Sequence, residues 1–191
     1  MPFLTITDWL EKEKIAGSVN PDRAILATTT SKGVPHSRVI AIRKVESESI
    51  LFFTQRGTRK VLELNANPNA SMTIWLAMQQ KQIILEGVVT PLSLQENELY
   101  WQTMTRERQL RFSAYAPISG RPIGSIVQLE GMLEKLEQQY QDNLIPMSEF
   151  YCGLRLIPYT ICFYTLNMES FSEVTRYTKN NASWEQQLLS P

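Results

Sequence analysis

Apolar and polar residues alternate along Ser37 to Arg43. A strand points successive side chains to opposite faces, so this period of two predicts a strand with two unlike faces. The two predicted faces carry three residues each: Arg38, Ile40 and Ile42 on one, and Val39, Ala41 and Arg43 on the other. Ala24 to Thr30 precedes this stretch across a short Ser-Lys-Gly turn, which predicts an antiparallel pair of strands.

Turn signals divide the rest of the chain into strand-like and helix-like segments. Further strands are predicted at Ile50 to Thr54, Ser71 to Ala77, Gln82 to Val89, Tyr151 to Leu156, Thr160 to Leu166 and Val174 to Tyr177, with a short piece after Trp184. Helices are predicted at Thr5 to Lys14, from near Thr58 to before Pro68, and over roughly 93–105 and 125–140. Capping-box spacing marks three helix starts: Thr5 with Asp8, Ser93 with Glu96, and Ser125 with Gln128.

The helices cluster instead of alternating with the strands. This arrangement favours an antiparallel barrel over a parallel sheet. No repeat, linker or low-complexity segment divides the sequence, so residues 1–191 are predicted to form a single α+β domain.

The composition excludes several classes of function and partner. The 19 basic and 19 acidic residues cancel, and no basic run is long enough to follow a nucleic-acid backbone, so no nucleic-acid partner is expected. No apolar stretch approaches the roughly 20 residues that span a bilayer, which predicts no membrane partner. Two cysteines and one histidine argue against a disulfide scaffold, a His-rich metal site and a Ser/His/Asp nucleophile set, and favour a cytoplasmic setting.

The tetrapeptide Gly57-Thr58-Arg59-Lys60 lies between a predicted strand and a predicted helix. A helix start offers amide N–H groups and the positive end of the helix dipole, to which this sequence adds a hydroxyl and two cations. The combination is typical of a phosphate site. A capped helix with solvated charges is the alternative.

Three other features can carry chemistry. Arg38 lies among apolar strand residues and needs a partner, either a carboxylate of the fold or a ligand anion. Gln82 can hydrogen-bond a planar heterocycle, or it is simply an exposed strand end. The predicted helix Tyr100 to Arg108 carries Tyr100, Arg106 and Arg108, which either clamp a second anion or complement the helix dipole.

Taken in order, these segments resemble the pyridoxamine 5′-phosphate oxidase family of FMN-dependent enzymes with a split β-barrel fold. The matching motifs span the chain: Asp8-Trp9-Leu10, Ala27-Thr28, Gly33-x-Pro35-x-Ser37-Arg38, Phe53-Thr54-x-x-Gly57-Thr58-Arg59-Lys60, Asn67-Pro68, Gln82, and Trp184 with Leu189 and Pro191. The resemblance implies an antiparallel split β-barrel with peripheral helices, in which FMN lies in a cleft made by both subunits of a homodimer.

The resemblance also implies which residues contact the cofactor. The FMN phosphate and ribityl chain would be held by Arg38, Thr58, Arg59 and Lys60. The isoalloxazine would be lined by Val39, Ile40, Phe53, Thr54 and Gln82, with Tyr164 in place of a flavin-facing tryptophan.

On the substrate side the chain departs from the family. Three residues would bind the substrate: Arg43, which replaces a lysine of the family, Tyr100, which is offset by two residues from the family's tyrosine, and Arg106. Leu110 replaces a serine of the family. The family's Arg-x-His-x-Arg run near the C-terminus is replaced by Ser170, Ser172 and Val174, and a two-residue shift would let Arg176 stand in for the last arginine. Because such residues position the substrate against the flavin, their loss is expected to affect the usual substrate before the cofactor.

The leading hypothesis is therefore an FMN-dependent oxidoreductase that transfers a hydride from a small anionic or heteroaromatic substrate to flavin N5. Pyridoxamine or pyridoxine phosphate and a diverged substrate both remain open. The alternatives are a non-catalytic protein that binds FMN or pyridoxal phosphate, and an empty barrel that serves as an interaction domain.

Overall fold

Eight strands and five α-helices make up most of the regular structure of residues 1–181 and 183–191, which the computed structural model describes. The strands are β1 (Arg23–Thr29), β2 (Pro35–Val45), β3 (Ile50–Gln55), β4 (Asn69–Leu76), β5 (Lys81–Pro91), β6 (Tyr151–Thr165), β7 (Glu173–Asn180) and β8 (Ser183–Leu189). The helices are α1 (Pro2–Ile15), α2 (Arg59–Ala66), α3 (Leu94–Gln102), α4 (Arg106–Tyr115) and α5 (Val127–Tyr140).

The strands form one sheet in the order β3-β2-β1-β4-β5-β6-β7-β8. A further pairing of β3 with β6 closes six of them into a barrel, and β7 and β8 extend from β6 as an antiparallel hairpin. The predicted α+β class and the antiparallel barrel with peripheral helices are therefore confirmed.

Contacts divide the chain into two compact units. The first comprises Met1–Phe52, Glu63–Thr90 and Leu154–Pro191, and the second comprises Phe53–Leu62 and Pro91–Gly153. Apolar side chains with no exposed surface fill the first unit, among them Leu26, Met72, Ile74, Leu85 and Leu156. The second unit has an aromatic core built on Trp101, Phe112 and Tyr151. The expected single domain over 1–191 stays a prediction.

The predicted alternation along β2 is confirmed. Ile40 and Ile42 are buried and Arg38 is partly buried, whereas Val39 is 65% exposed. In the pairing with β1, Arg38 lies opposite Leu26 and His36 lies opposite Thr28. The face of β2 that carries Arg38 is therefore its buried face.

One strand replaces the two that were predicted around Pro158, since β6 runs without a break from Tyr151 to Thr165. Proline's fixed φ is compatible with an extended backbone, so proline need not end a strand. A Cβ added at Gly87 in β5 would lie 2.2 Å from the carbonyl oxygen of Ile157. Gly87 therefore allows β5 to approach β6 closely beside the proline.

The capping-box predictions have mixed outcomes. At α3 the box is present, because Ser93 accepts from the backbone N–H of Glu96 and the Glu96 carboxylate accepts from the backbone of Ser93. At α1 it is wrong, since the helix begins at Pro2, and proline is well suited to a first helical position. At α5 it is also wrong, because the N-cap is Ile126 and makes no side-chain cap.

A continuous helix from Tyr100 to Arg108 is likewise wrong. Helix α3 ends at Gln102 and α4 begins at Arg106, with Thr105 as its N-cap. Tyr100 and Arg106 therefore belong to different helices.

Candidate functional site

The turn between β3 and α2 brings three predicted cofactor residues together. Lys60 Nζ lies 2.9 Å from Thr54 Oγ1 and 3.5 Å from Thr58 Oγ1. The Thr58 hydroxyl in turn donates to the carbonyl oxygen of Gln55 at 2.7 Å. Both threonines are buried, at 3% and 8% exposure. Gly57 makes the turn, and its φ of +81° is a conformation that favours glycine.

Arg59, at the first position of α2, is exposed. No hydrogen bond or ion pair joins it to another residue in the described part of the chain. A fixed ammonium and an available guanidinium at a helix start suit a phosphate dianion, while the single O–H of Thr58 is already donated to Gln55. Thr54, Thr58, Arg59 and Lys60 are called the phosphate grip below.

Two other predicted site residues, Phe53 and Tyr100, make an aromatic contact within the second unit. The ring centroids of Phe53 and Tyr100 are 5.1 Å apart. Phe53 also stacks on Tyr151, with a centroid distance of 4.9 Å. Both arrangements lie in the distance range of favourable aromatic pairs. Phe53 is therefore fixed by packing within the second unit.

Arg106 is exposed, and its guanidinium contacts backbone. It donates to the carbonyl oxygen of Asn143 at 2.7 Å and also to that of Gln141. These carbonyls follow the end of α5, so Arg106 satisfies acceptors beyond that helix. Leu110, which replaces the family's serine, is buried in the core of the second unit.

In the first unit, Arg38 has protein partners on three of its N–H bonds. Its Nη1 donates to Leu26 O at 3.1 Å and to Thr28 Oγ1 at 2.6 Å, and its Nη2 donates to Glu63 Oε2 at 3.3 Å. The carboxylate partner that the sequence left open is therefore present. A guanidinium has five N–H donors, so two remain for a ligand.

Glu63 is the hub of this cluster and is only 6% exposed. Besides Arg38 it accepts from Thr28 Oγ1 at 2.5 Å and from His36 Nδ1 at 2.6 Å. Burial raises the pKa of Glu63. Three effects lower it: the hydrogen bonds from Thr28 and His36, the charge of His36 and the hydrogen bond from Arg38. Together they outweigh burial and hold this pKa below its ordinary value. The carboxylate is thus ionised at neutral pH.

The sequence interpretation missed Thr28, His36 and Glu63 as parts of one site. Two signals were available. His36 precedes Arg38 by two residues and so shares its face of the strand, and Glu63 follows Lys60 within the same helix.

The remaining predicted cofactor and substrate residues lie on strands of the first unit. Arg43 is exposed on β2, Gln82 on β5 is partly buried opposite Trp75, and Tyr164 on β6 is partly buried opposite Val174. No hydrogen bond among the described residues joins Gln82 or Tyr164 to Arg38.

The tail that replaces the Arg-x-His-x-Arg run is a tight loop followed by β7. Ser172 Oγ accepts from the N–H of Asn167, and the N–H of Ser170 donates to Asn167 Oδ1. Val174 is buried in β7. Arg176 is exposed and donates to Gln187 Oε1 at 2.8 Å.

Within residues 1–181 and 183–191, no three histidine, cysteine, aspartate or glutamate side chains form a group that could hold a metal ion. No helix in this part of the chain combines the length and apolar character needed to cross a membrane.

Comparisons with known proteins show which family and which fold the chain resembles. The sequence model of a family described as Pyridoxamine 5′-phosphate oxidase matches residues 12–140. A pyridoxine/pyridoxamine 5′-phosphate oxidase of Alteromonas mediterranea is 30% identical, covering 100% of this chain and 89% of its relative. One of Microcystis aeruginosa is 31% identical, covering 100% and 88%.

Two solved structures share the fold. PhzG from Burkholderia lata, in complex with tetrahydrophenazine-1-carboxylic acid, has a TM-score of 0.88 at 24% identity and covers 100% of this chain and 92% of its own. A pyridoxamine 5′-phosphate oxidase-related, FMN binding protein from Nostoc punctiforme has a TM-score of 0.81 at 20% identity, with 98% and 96% covered. From the family match and the curated relatives, the chain belongs to the pyridoxamine 5′-phosphate oxidase family.

Proposed function

We propose that this chain is an FMN-dependent oxidoreductase and that the phosphate grip binds the FMN phosphate. The observation that carries the proposal is the pair of cations at the start of α2. Lys60 is held by two buried hydroxyls, while Arg59 is exposed and has no partner among the described residues. The description of the Nostoc punctiforme structure as an FMN binding protein supports FMN as the ligand, and the names of the curated relatives support an oxidase.

Bound FMN supplies a flavin N5 that accepts a hydride from a small anionic or heteroaromatic substrate. The chain's own residues then have two tasks, which are to hold the cofactor and to orient the substrate. Arg38 keeps two donors for the cofactor beyond its three protein bonds. Val39, Ile40, Phe53, Gln82 and Tyr164 stay proposed flavin contacts, and Arg43, Tyr100 and Arg106 stay proposed substrate contacts.

The working form is proposed to be a homodimer. An apolar row lies on the outer face of the barrel, where Val39 (65% exposed) lies opposite Ile25 (45% exposed). Beyond Ile25 the row passes the polar Thr73 on β4 to Ile84 on β5, and both of these residues are partly buried. Exposed apolar rows of this kind are typical of protein interfaces. A second copy of the chain is the occupant that the family resemblance implies.

The first test is the ligand of the purified protein. We expect flavin absorbance after gentle purification and FMN, identified by mass, after release. Under anaerobic conditions, pyridoxamine phosphate, pyridoxine phosphate and other small anions are then added one at a time. Bleaching by one of them supports an oxidoreductase.

Two results would contradict the proposal. A colourless protein that takes up no added FMN has no flavin site. A protein that holds FMN through every substrate trial, and is reduced by dithionite alone, is a binding protein without catalysis. Lys60→Met serves as the comparison variant, since it removes the ammonium and keeps a side chain of similar length.

A further inference from the structure

The hydroxyl of Thr28 and the carboxylate of Glu63 both contact Arg38, and neither belongs to the phosphate grip. We infer that Thr28 and Glu63 are positioning residues that fix the guanidinium of Arg38 for the phosphate of FMN. The inference rests on the proposed function, because it needs FMN as the ligand of Arg38.

Three hydrogen bonds close a ring among these side chains. Arg38 Nη1 donates to Thr28 Oγ1 at 2.6 Å, Thr28 Oγ1 donates to Glu63 Oε2 at 2.5 Å, and Arg38 Nη2 reaches the same carboxylate oxygen at 3.3 Å. The two bonds from Arg38 constrain the plane of the guanidinium, and the bond between Thr28 and Glu63 joins its two partners. A fourth bond, from Nη1 to Leu26 O, ties this plane to β1.

Burial makes this ring rigid. Thr28 is 1% exposed and Glu63 is 6% exposed, so water does not compete freely for their polar atoms. An arginine side chain has many rotamers, and fixing its planar fork in advance reduces the entropy lost when a ligand binds. The two donors of Arg38 that have no protein partner are thereby held in one orientation.

A competing role for Glu63 is purely electrostatic. A carboxylate beside Arg38 repels an incoming phosphate. The two roles predict different changes in FMN affinity. If Glu63 acts only as a counter-charge, removing its charge strengthens FMN binding, whereas a positioning role makes binding depend on the Thr28 hydroxyl, which carries no charge.

The decisive variant is Thr28→Val, which keeps the shape of the side chain and every charge but removes the bridging hydroxyl. Affinities for FMN and for riboflavin, which lacks the phosphate, are measured by titration of the apoprotein. We expect FMN binding to weaken about tenfold, because the variant loses the hydrogen bond between the Thr28 hydroxyl and the charged Arg38. Riboflavin binding should change less than about twofold. Thr28→Ser restores the hydroxyl and should restore most of the preference for FMN.

A second variant, Glu63→Gln, tests the same role if Thr28→Val does not fold. Its amide oxygen can accept from Thr28 and Arg38, and its NH₂ can face His36 Nδ1. Positioning predicts an FMN affinity within about threefold of the wild type, since the acceptor is kept. Glu46→Gln is the matched control, because Glu46 pairs with Arg155 and not with Arg38.

The outcomes separate the two proposals. If the wild type binds no FMN, the proposed function fails and the positioning role fails with it. If the wild type prefers FMN over riboflavin, the positioning role alone is overturned by any of three results: Thr28→Val keeps that preference, Thr28→Val weakens both ligands equally, or Glu63→Gln binds FMN about tenfold more tightly.

Discussion

The ammonium of Lys60 lies 2.9 Å from the hydroxyl oxygen of Thr54, and this contact joins the first turn of α2 to the end of β3. Its neighbour Arg59 is exposed and has no partner among the described residues. The two cations of the phosphate grip thus differ, since one is fixed before a ligand arrives and the other is still to be ordered. A fixed donor loses less entropy on binding.

Removing either cation should therefore affect the phosphate selectively. A charge-assisted hydrogen bond contributes about 1.5 to 3 kcal/mol, so Arg59→Ala or Lys60→Ala should weaken FMN binding by roughly 10 to 150-fold. Riboflavin affinity, titrated in parallel, should change much less. Lys135→Ala, at an exposed position of α5, is the control. Equal losses for FMN and riboflavin would show that the phosphate role is wrong.

The sequence predicted the local features of this grip and of β2 correctly. Period-two alternation assigned Ile40 and Val39 to opposite faces, and in the structure Ile40 is buried and Val39 is exposed. The pairing of Arg38 with Glu63 was not predictable, since it joins a strand to a helix 25 residues later and depends on the tertiary fold. Helix starts were misjudged where capping spacing occurred by chance, as at Thr5, while the proline at position 2 was the correct signal.

The exposed apolar row is expected to be the dimer interface. Light scattering should give twice the chain mass for the wild type, and FMN should raise the melting temperature because it binds the folded state. Val39→Lys places a charge in the row and should give monomers, whereas Val19→Lys, at another exposed valine, should not. A wild-type monomer that binds FMN tightly would contradict a cofactor site shared between subunits.

Acid should destabilise the fold through Glu46 and Glu63. The pKa of Glu46 is lowered chiefly by the hydrogen bond from Arg155, against partial burial, and the pKa of Glu63 is lowered despite burial; the ordinary value of both is 4.5. A carboxyl with a lowered folded-state pKa stabilises the fold above its unfolded pKa, and this stability is lost as pH falls through the folded pKa. The free energy of unfolding, from urea titrations, should therefore fall below about pH 4.5.

Variants identify which carboxylate is responsible. Glu63→Gln and Glu46→Gln should each be less stable than the wild type at neutral pH, and each should lose less stability in acid. If the free energy of unfolding of both variants falls in acid as steeply as that of the wild type, neither carboxylate is stabilised by its partners in the folded state.

Gly87 is expected to be intolerant of any side chain. An added Cβ would lie 2.2 Å from Ile157 O and 2.5 Å from Pro158 Cα, both of which are backbone atoms that cannot rotate away. Gly87→Ala should lower the free energy of unfolding by about 1 to 3 kcal/mol or more. Gly131→Ala, in α5 with no atom within 4 Å of the new Cβ, should instead stabilise by about 0.5 to 1 kcal/mol. Similar values for the two variants would contradict the close approach of β5 and β6.

The tail loop should limit turnover more than cofactor affinity. Ser170 and Ser172 occupy the positions expected for an arginine and a histidine, and the contacts described for them stay within the loop. Arg176, the nearest substitute, donates to Gln187. Misplacing a substrate by about an ångström can cost on the order of 100-fold in rate. FMN should therefore stay bound while oxidation of pyridoxamine phosphate is slow or absent.

Restoring the two side chains tests this explanation. In Ser170→Arg with Ser172→His, the N–H of residue 170 still donates to Asn167 and only the bond to the Ser172 hydroxyl is lost. The rate of pyridoxamine phosphate oxidation, measured as oxygen uptake, should rise. The control Ser170→Gln with Ser172→Asn adds similar bulk without the guanidinium or imidazole and should not raise this rate. The third position is different, because Val174 is buried in β7 and an arginine there would disturb the core. Rapid oxidation of pyridoxamine phosphate by the wild type would show instead that other residues, such as Arg43, position this substrate.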